Sequence, residues 1–317
     1  MTPPVLVAGE TLVDFLPDST GPLAAVDSFD RRPGGAPANV AVRLAQLDCR
    51  PWFWTRVGPD PFGDFLVDTL GDHGVPDRFV ERDPRAKTTL AFVSREDDAD
   101  AEYTFYRDGT ADTRLQSGTV PDDALADVDL VAVGGVALAS EPSRSAVRDL
   151  CERAQNYDCT VCFDPNARPE LWREADFTAE IEAVLGDCDV VFATPGDLRE
   201  AGFEGDDPDA LAAEVRERGP HTVFLTLGEA GSAAVAGGDA PWGPARASHD
   251  GYEVSVVDTT GAGDAFTAGT LASLARGETD LNRVLAFANA VAAASATSAG
   301  AMGSLSGVDA LLDGSGS

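Results

Sequence analysis

Five uninterrupted apolar runs constrain the fold of this chain more than any other feature. They begin at Val5-Leu6-Val7-Ala8, Leu130-Val131-Ala132-Val133, Thr160-Val161-Cys162-Phe163, Val190-Val191-Phe192 and Val223-Phe224-Leu225-Thr226. A strand with one wet face alternates apolar and polar residues. A strand that is apolar throughout must be covered on both faces, as in parallel sheets flanked by helices. Helical periodicity fills the intervals at about residues 38–47, 143–157, 209–218 and 281–299. Strand and helix in alternation predict a doubly wound α/β domain with ligands at the C-terminal strand ends. At 317 residues and 44% hydrophobic content, one such domain over residues 1–317 can bury a full core. Two regions, about 23–32 and 88–107, show polar alternation and no helix between strands. Leu90 to Ser94 and Tyr103 to Tyr106 read as a hairpin joined by an acidic loop. A small antiparallel sheet from segments about 11–34 and 86–110 is therefore expected as a lid over the site.

The charge balance narrows the partners. Lys and Arg number 23 against 54 Asp and Glu, a net charge of −31. Lys87 is the only lysine. The acids recur in surface-type loops rather than in one tail, and such a surface repels nucleic acid and anionic membrane. It suits a protein kept dispersed at molar salt, where screening makes self-repulsion tolerable, and so predicts a salt-loving source. Pro3 and Pro4 lead straight into a strand and no apolar run is long enough to span a bilayer, which predicts a cytoplasmic protein without a leader. Cys159 and Cys162 have CxxC spacing, but they lie in an apolar strand with no second ligand pair, and reduced thiols account for all five cysteines. His73, His221 and His249 have no partner motif.

The chemistry concentrates at Asp258-Thr259-Thr260-Gly261-Ala262-Gly263-Asp264. Residues 252–257 read as a strand ending at this turn, and a small-residue helix is predicted from about Ala262 to Leu274. Gly261 and Gly263 let backbone amides approach a ligand, and the unpaired N–H groups of the first helical turn make an anion site. Asp264 opposes a bound anion, which makes it a poor binding device. It is intelligible as a base that takes a hydroxyl proton while the amides stabilise a transferring phosphoryl group. On its own the turn could equally be a helix cap with a solvated first-turn acid.

A second pattern, Pro33-Gly34-Gly35-Ala36-Pro37-Ala38-Asn39, offers close backbone approach at two glycines and both a donor and an acceptor at Asn39. Together the two patterns resemble, in order and separation, the two signatures of the ribokinase-like (pfkB-type) carbohydrate kinases, over essentially the whole chain. The segments Gly9-Glu10-Thr11-Leu12-Val13-Asp14-Phe15, Thr89 to Val93, Phe105-Tyr106-Arg107, Ser140 to Ser145 and Phe163-Asp164-Pro165-Asn166-Ala167-Arg168 are most similar to those of fructokinases. The resemblance implies a three-layer α/β/α domain with a mainly parallel sheet and a β lid. It implies ATP and Mg²⁺ as cofactors, and a primary hydroxyl of a ketose, fructose before others, as phosphoryl acceptor. It also implies that Asp14, Gly34, Gly35 and Asn39 hold the sugar, with Phe105, Arg107 and Arg168 near it. A short carboxylate can accept from two vicinal hydroxyls, and arginines supply positive charge that the surface lacks.

For the nucleotide, the same resemblance implies Thr194, Thr226, Gly228, Gly231 and Asn289 beside the catalytic Gly261-Ala262-Gly263 turn. Where the family usually carries Asn-x-x-Glu, this chain has Thr194-Pro195-Gly196-Asp197, so Asp197 is expected to reach Mg²⁺ through water. A potassium ion is implied near Asp258, Thr260, Gly300 and Ser304, and a homodimer formed through the lids. The competing substrate is 2-keto-3-deoxygluconate, whose kinases share both signatures but often carry a lid tyrosine where this chain has Phe105. A nucleotide-sensing protein with a decayed site is disfavoured by the intact Asp264. A dehydrogenase is disfavoured because no Gly-x-Gly-x-x-Gly follows the first strand.

Overall fold

The structure, a computed structural model, describes residues 4–94, 102–172 and 175–314. The acidic loop expected to join the lid hairpin lies outside the described residues. Nine strands form the main sheet: β1 (Val5–Ala8), β4 (Trp52–Val57), β5 (Val80–Arg82), β8 (Leu130–Gly134), β9 (Thr160–Asp164), β10 (Val190–Ala193), β11 (Thr222–Thr226), β12 (Ser232–Ala236) and β13 (Ala245–His249). Their order is β13-β12-β11-β10-β9-β8-β1-β4-β5, parallel from β11 to β5, with β12 and β13 antiparallel at one edge. The apolar runs are explained by the two cores. Leu6, Ala8, Val131, Val133, Val161 and Phe163 enter one core, while Val5, Val7, Leu130, Ala132 and Cys162 enter the other. Successive side chains go to opposite faces, so covering both faces demands an apolar residue at every position.

Helices α3 (Asp122–Leu125), α4 (Ser143–Asn156), α5 (Phe177–Leu185), α6 (Pro195–Glu200) and α7 (Pro208–Arg216) supply the first core. Helices α1 (Ala36–Gln46), α8 (Ala262–Ala275) and α9 (Leu281–Ala296) supply the second, with Leu70 of α2 (Pro61–Asp72). The last helix, α10 (Val308–Leu312), packs on α9. From β1 the chain builds outward to β4 and β5, then returns to β8 on the other side. The strand order therefore reverses between β1 and β8, the usual place for a ligand crevice.

A second, four-stranded sheet has the order β3-β2-β6-β7, from β2 (Leu12–Pro17), β3 (Phe29–Gly34), β6 (Leu90–Ser94) and β7 (Glu102–Tyr106). It consists of two antiparallel hairpins that meet through a parallel β2–β6 pair. One expectation fails: residues 252–257 are not a strand. The sheet edge ends at His249, and Val256 and Val257 are 61% and 63% exposed. Their β-branched alternation meets no neighbouring strand; the Val257 amide instead donates to the Ala296 carbonyl at the end of α9.

Candidate active site

The predicted glycine turn caps α8 without a side-chain cap. Gly261, at φ 75°, sits in the left-handed region, and a Cβ there would stand 2.5 Å from the Ala301 Cβ. Glycine alone meets both conditions. The Ala262 amide closes the turn onto the Thr259 carbonyl, and intrahelical bonding from Gly261 begins at the Ala265 amide. The Gly263 and Asp264 amides precede that point and face the cleft with the positive end of the helix dipole. Ala262, grouped with the catalytic amides from sequence, lines the cleft but spends its N–H on the turn.

The cleft, about 570 Å³, lies at the reversal point and brings both signatures together. Asn39, in the first turn of α1, donates from Nδ2 to the Asp264 Oδ2 at 2.7 Å. Burial pushes the Asp264 carboxyl up to about 6, against the lowering effects of the Asn39 bond and of the Arg168 and Arg43 charges. That value suits a general base working near neutrality. Asp14 enters from β2. A Cβ on Gly34 would overlap the Asp14 Oδ2, so the first glycine of Pro33-Gly34-Gly35 is what lets this carboxylate stand over the cleft. Burial raises Asp14 to about 7; the Arg168 charge opposes this and the Asp264 charge adds to it. Gly35, Phe105 and Arg168 also line the cleft, with Tyr103 beside them.

Two further acids, unassigned from sequence, share this lining: Glu10 after β1 and Asp164 at the end of β9. Burial raises Glu10 to about 7, opposed chiefly by Arg107. Asp164 is raised well above the carboxylate range by burial, then by Asp197 and Asp264. Neither was separable in sequence from the many surface acids. Arg107 departs from expectation. It is buried, its Nε is bonded to the Asp112 Oδ2 at 2.6 Å, and it does not line the main cleft. Asp112 is five residues away, and the turn through 107–112 folds both inward, a geometry that spacing does not reveal.

On the nucleotide side, Thr194 and Thr226 line the cleft. Thr194 and Asp197 form a capping box at α6, and Asp197 Oδ1 also accepts from the Ala167 amide at 2.9 Å. That carboxylate thereby fixes the loop that presents Arg168. With three protein donors already on Asp197, an outer contact to magnesium through water fits it better than direct ligation. Among the described residues no group of three or more His, Cys, Asp or Glu could hold a metal ion. Gly228 and Gly231 flank the strand end outside the cleft lining; a Cβ on Gly231 would overlap the 249–251 backbone. Asn289 is not brought to the cleft: its amide donates to the Ser232 Oγ at 2.6 Å and the Leu285 carbonyl at 2.7 Å, pinning α9 to β12. Asp258 accepts from the Thr260 and Gly300 amides, each at 2.9 Å, joining the two loops that also carry Ser304. The Ser304 carbonyl accepts from the Ser298 hydroxyl.

A buried carboxyl at a helix N-terminus, sharing one cleft with further acids, is an arrangement that suits phosphoryl transfer to a small polyhydroxylated acceptor. The chain belongs to the pfkB family of carbohydrate kinases, whose model matches residues 3–306. It is 32% identical to a probable fructokinase-5 of Arabidopsis thaliana, over 96% of this chain and 94% of that protein. It is similar to the fructokinase of Xylella fastidiosa with bound ATP, with a TM-score of 0.87, 27% identity and full coverage of both chains. A fructokinase double mutant from Vibrio cholerae O395, in a form with fructose, ADP and potassium ion bound, superposes with a TM-score of 0.82 at 30% identity over 97% of each chain.

Proposed function

We propose that this protein is an ATP-dependent fructokinase, transferring the γ-phosphoryl group to a primary hydroxyl of fructose with Asp264 as general base. The Asn39–Asp264 bond carries the reading, since it joins a sugar-side signature to the base at the anion-binding turn. The acceptor hydroxyl gives its proton to Asp264 while the Gly261 and Gly263 backbone and the α8 dipole oppose charge on the transferring group. Magnesium, when bound, would neutralise charge on the phosphates, with Asp197 as its contact through water. The second sheet, which brings Asp14, Tyr103 and Phe105 to the cleft, acts as a lid that excludes water.

Fructose is favoured over 2-keto-3-deoxygluconate on electrostatic grounds. A sugar acid would meet Glu10, Asp14, Asp164 and Asp264, and Arg107 is already paired with Asp112. The fructokinases among the relatives point the same way. A potassium ion at the 258–260 and 298–304 loops is part of the proposal: the Vibrio cholerae protein carries the ion, and Asp258 already holds these loops together here. Phe92 stacks on Phe15 and meets Phe29 and Tyr106 edge-on, with Tyr106 63% exposed, and this aromatic cluster supports a homodimer closed through the lids. Sedimentation of Tyr106→Glu checks it; an unchanged mass would reject that contact. The five buried free cysteines support a reducing cytoplasm, checked by cell fractionation.

The central test is a panel of fructose, ribose, ketodeoxygluconate and nucleosides with ATP and magnesium, in molar KCl and again at low salt. Fructose should be turned over best. Turnover should fall on dilution of the salt, because the screening length grows from about 3 Å at 1 M to about 10 Å at 0.1 M. Ketodeoxygluconate turned over far better than fructose would reject the acceptor.

A further inference from the structure

Two buried acceptors on residues that line the cleft lack partners, the Oε2 of Glu10 and the Oδ1 of Asn39, and a buried donor outside the lining, the Nη2 of Arg107, is also unpaired. A fold rarely leaves a buried carboxyl oxygen unpaired, and such an atom calls for a partner from outside the chain. Glu10 is only 3% exposed, yet it lines the cleft with Asp14, Asn39 and Asp264. Gly134 leaves the flank of that oxygen without a side chain; a Cβ built there would stand 3.8 Å from Oε2, at ordinary contact distance. Arg107 cannot turn to satisfy it. Its Nε is bonded to Asp112 at 2.6 Å, and Asp112 is itself held by the Thr89 and Thr110 hydroxyls.

Resting on the reading of this cleft as a sugar site, we propose that Glu10 is a substrate-positioning residue whose Oε2 bonds a sugar hydroxyl other than the one phosphorylated. A hydroxyl both donates and accepts, so it can satisfy the carboxyl in either protonation state. The placement gives this contact a role that Asp14 does not fill. Asp14 is carried by β2 of the second sheet, whereas Glu10 follows β1, an interior strand of the main sheet where the strand order reverses. A hydroxyl bonded to Glu10 is registered against Asp264 by the sheet and α8 rather than by the smaller sheet.

The test uses the full chain with ATP, magnesium, fructose and those monodeoxy fructoses that keep the acceptor hydroxyl. Glu10→Leu should raise the fructose KM about 10- to 100-fold, the range for losing a buried substrate hydrogen bond. The KM for ATP should stay unchanged and kcat should change by a few-fold at most. Glu10→Gln, which keeps a donor and an acceptor, should restore most of the affinity. One deoxy analogue should be disfavoured by the native chain and turned over by Glu10→Leu as well as fructose is. An unchanged fructose KM, or deoxy penalties identical in native and variant chains, would overturn the assignment. Should Glu10→Leu not fold, Glu10→Ala takes its place with the same two readouts. If the native chain prefers another sugar, the fructose reading fails, and the same variants with deoxy forms of that sugar test Glu10 independently.

Discussion

Replacing Asn39 by leucine isolates the tuning of the base. The Asn39 Nδ2 donates to the Asp264 Oδ2 at 2.7 Å and is the largest influence holding the carboxyl down against burial, leaving it at about 6. A hydrogen bond to a charged group contributes about 1.5–3 kcal/mol, and one pKa unit corresponds to about 1.4 kcal/mol. Leucine keeps the volume and removes the donor, so the Asp264 pKa should rise by about 1–2 units. The base acts when ionised. Activity is therefore present above its pKa and lost as pH falls through it, and the acid limb of the variant should move toward alkaline pH. A shift of about 1.5 units would cut the ionised fraction at pH 6.5 roughly eightfold. The assay is kcat/KM for fructose from pH 5 to 9, comparing the position of the acid limb rather than its height, since Asn39 also lines the sugar cleft. Glu10 and Asp14 are also raised to about 7, in part by the Asp264 charge; loss of that charge would move them toward acid, so an alkaline shift of the limb reports Asp264 itself. An acid limb that stays in place or moves toward acid would refute this account of the base.

Two further substitutions probe the same site. Asp264→Asn preserves the size and the neighbouring amides but cannot take a proton; kcat should fall by about 10²–10⁴ or more, while calorimetry should find ATP binding within a few-fold of native. Rates near native would remove Asp264 as base. Gly34→Ala places a Cβ onto the Asp14 Oδ2 at a position whose backbone is otherwise ordinary; the sugar KM should rise by about tenfold or more with the ATP KM unchanged, and an unaltered sugar KM would mean that Asp14 does not need its present place.

What could be read from the sequence follows from how local each cause is. Strands β1, β8, β9, β10 and β11 were legible because cover on both faces forces an apolar residue at each position. The α8 turn was legible because Gly261 meets a local backbone requirement, a left-handed φ of 75° at the helix cap. The Asn39–Asp264 bond spans 225 residues, so sequence could nominate its ends but not join them. Arg107 and Asn289 show a related limit, since neither lines the cleft. A polar side chain near a motif looks like a ligand contact, and only the fold reveals that Asp112 or Ser232 already occupies it. The 252–257 segment failed in reverse: strand-like residues lie past the edge of the sheet, where propensity has no partner to act through.

The charge of the chain and the construction of its site are linked. With a net charge of −31 and one lysine, the protein meets a polyanionic nucleotide without a cluster of cationic side chains. The described residues lining the cleft include Glu10, Asp14, Asp164, Asp197 and Asp264 against the single guanidinium of Arg168. A neutral polyol gains from those acids, because each accepts from hydroxyls. The phosphates must instead be met by groups that carry no formal charge of their own, the α8 amides and dipole, together with cations from solution. Such a division does not depend on long-range attraction between protein and nucleotide, which salt would abolish; amide contacts at hydrogen-bond distance survive a short screening length. On the proposed function, the arrangement would tolerate high salt at the place where an electrostatically steered kinase would lose most, and the acidic surface and an amide-built phosphate site would be two consequences of one constraint.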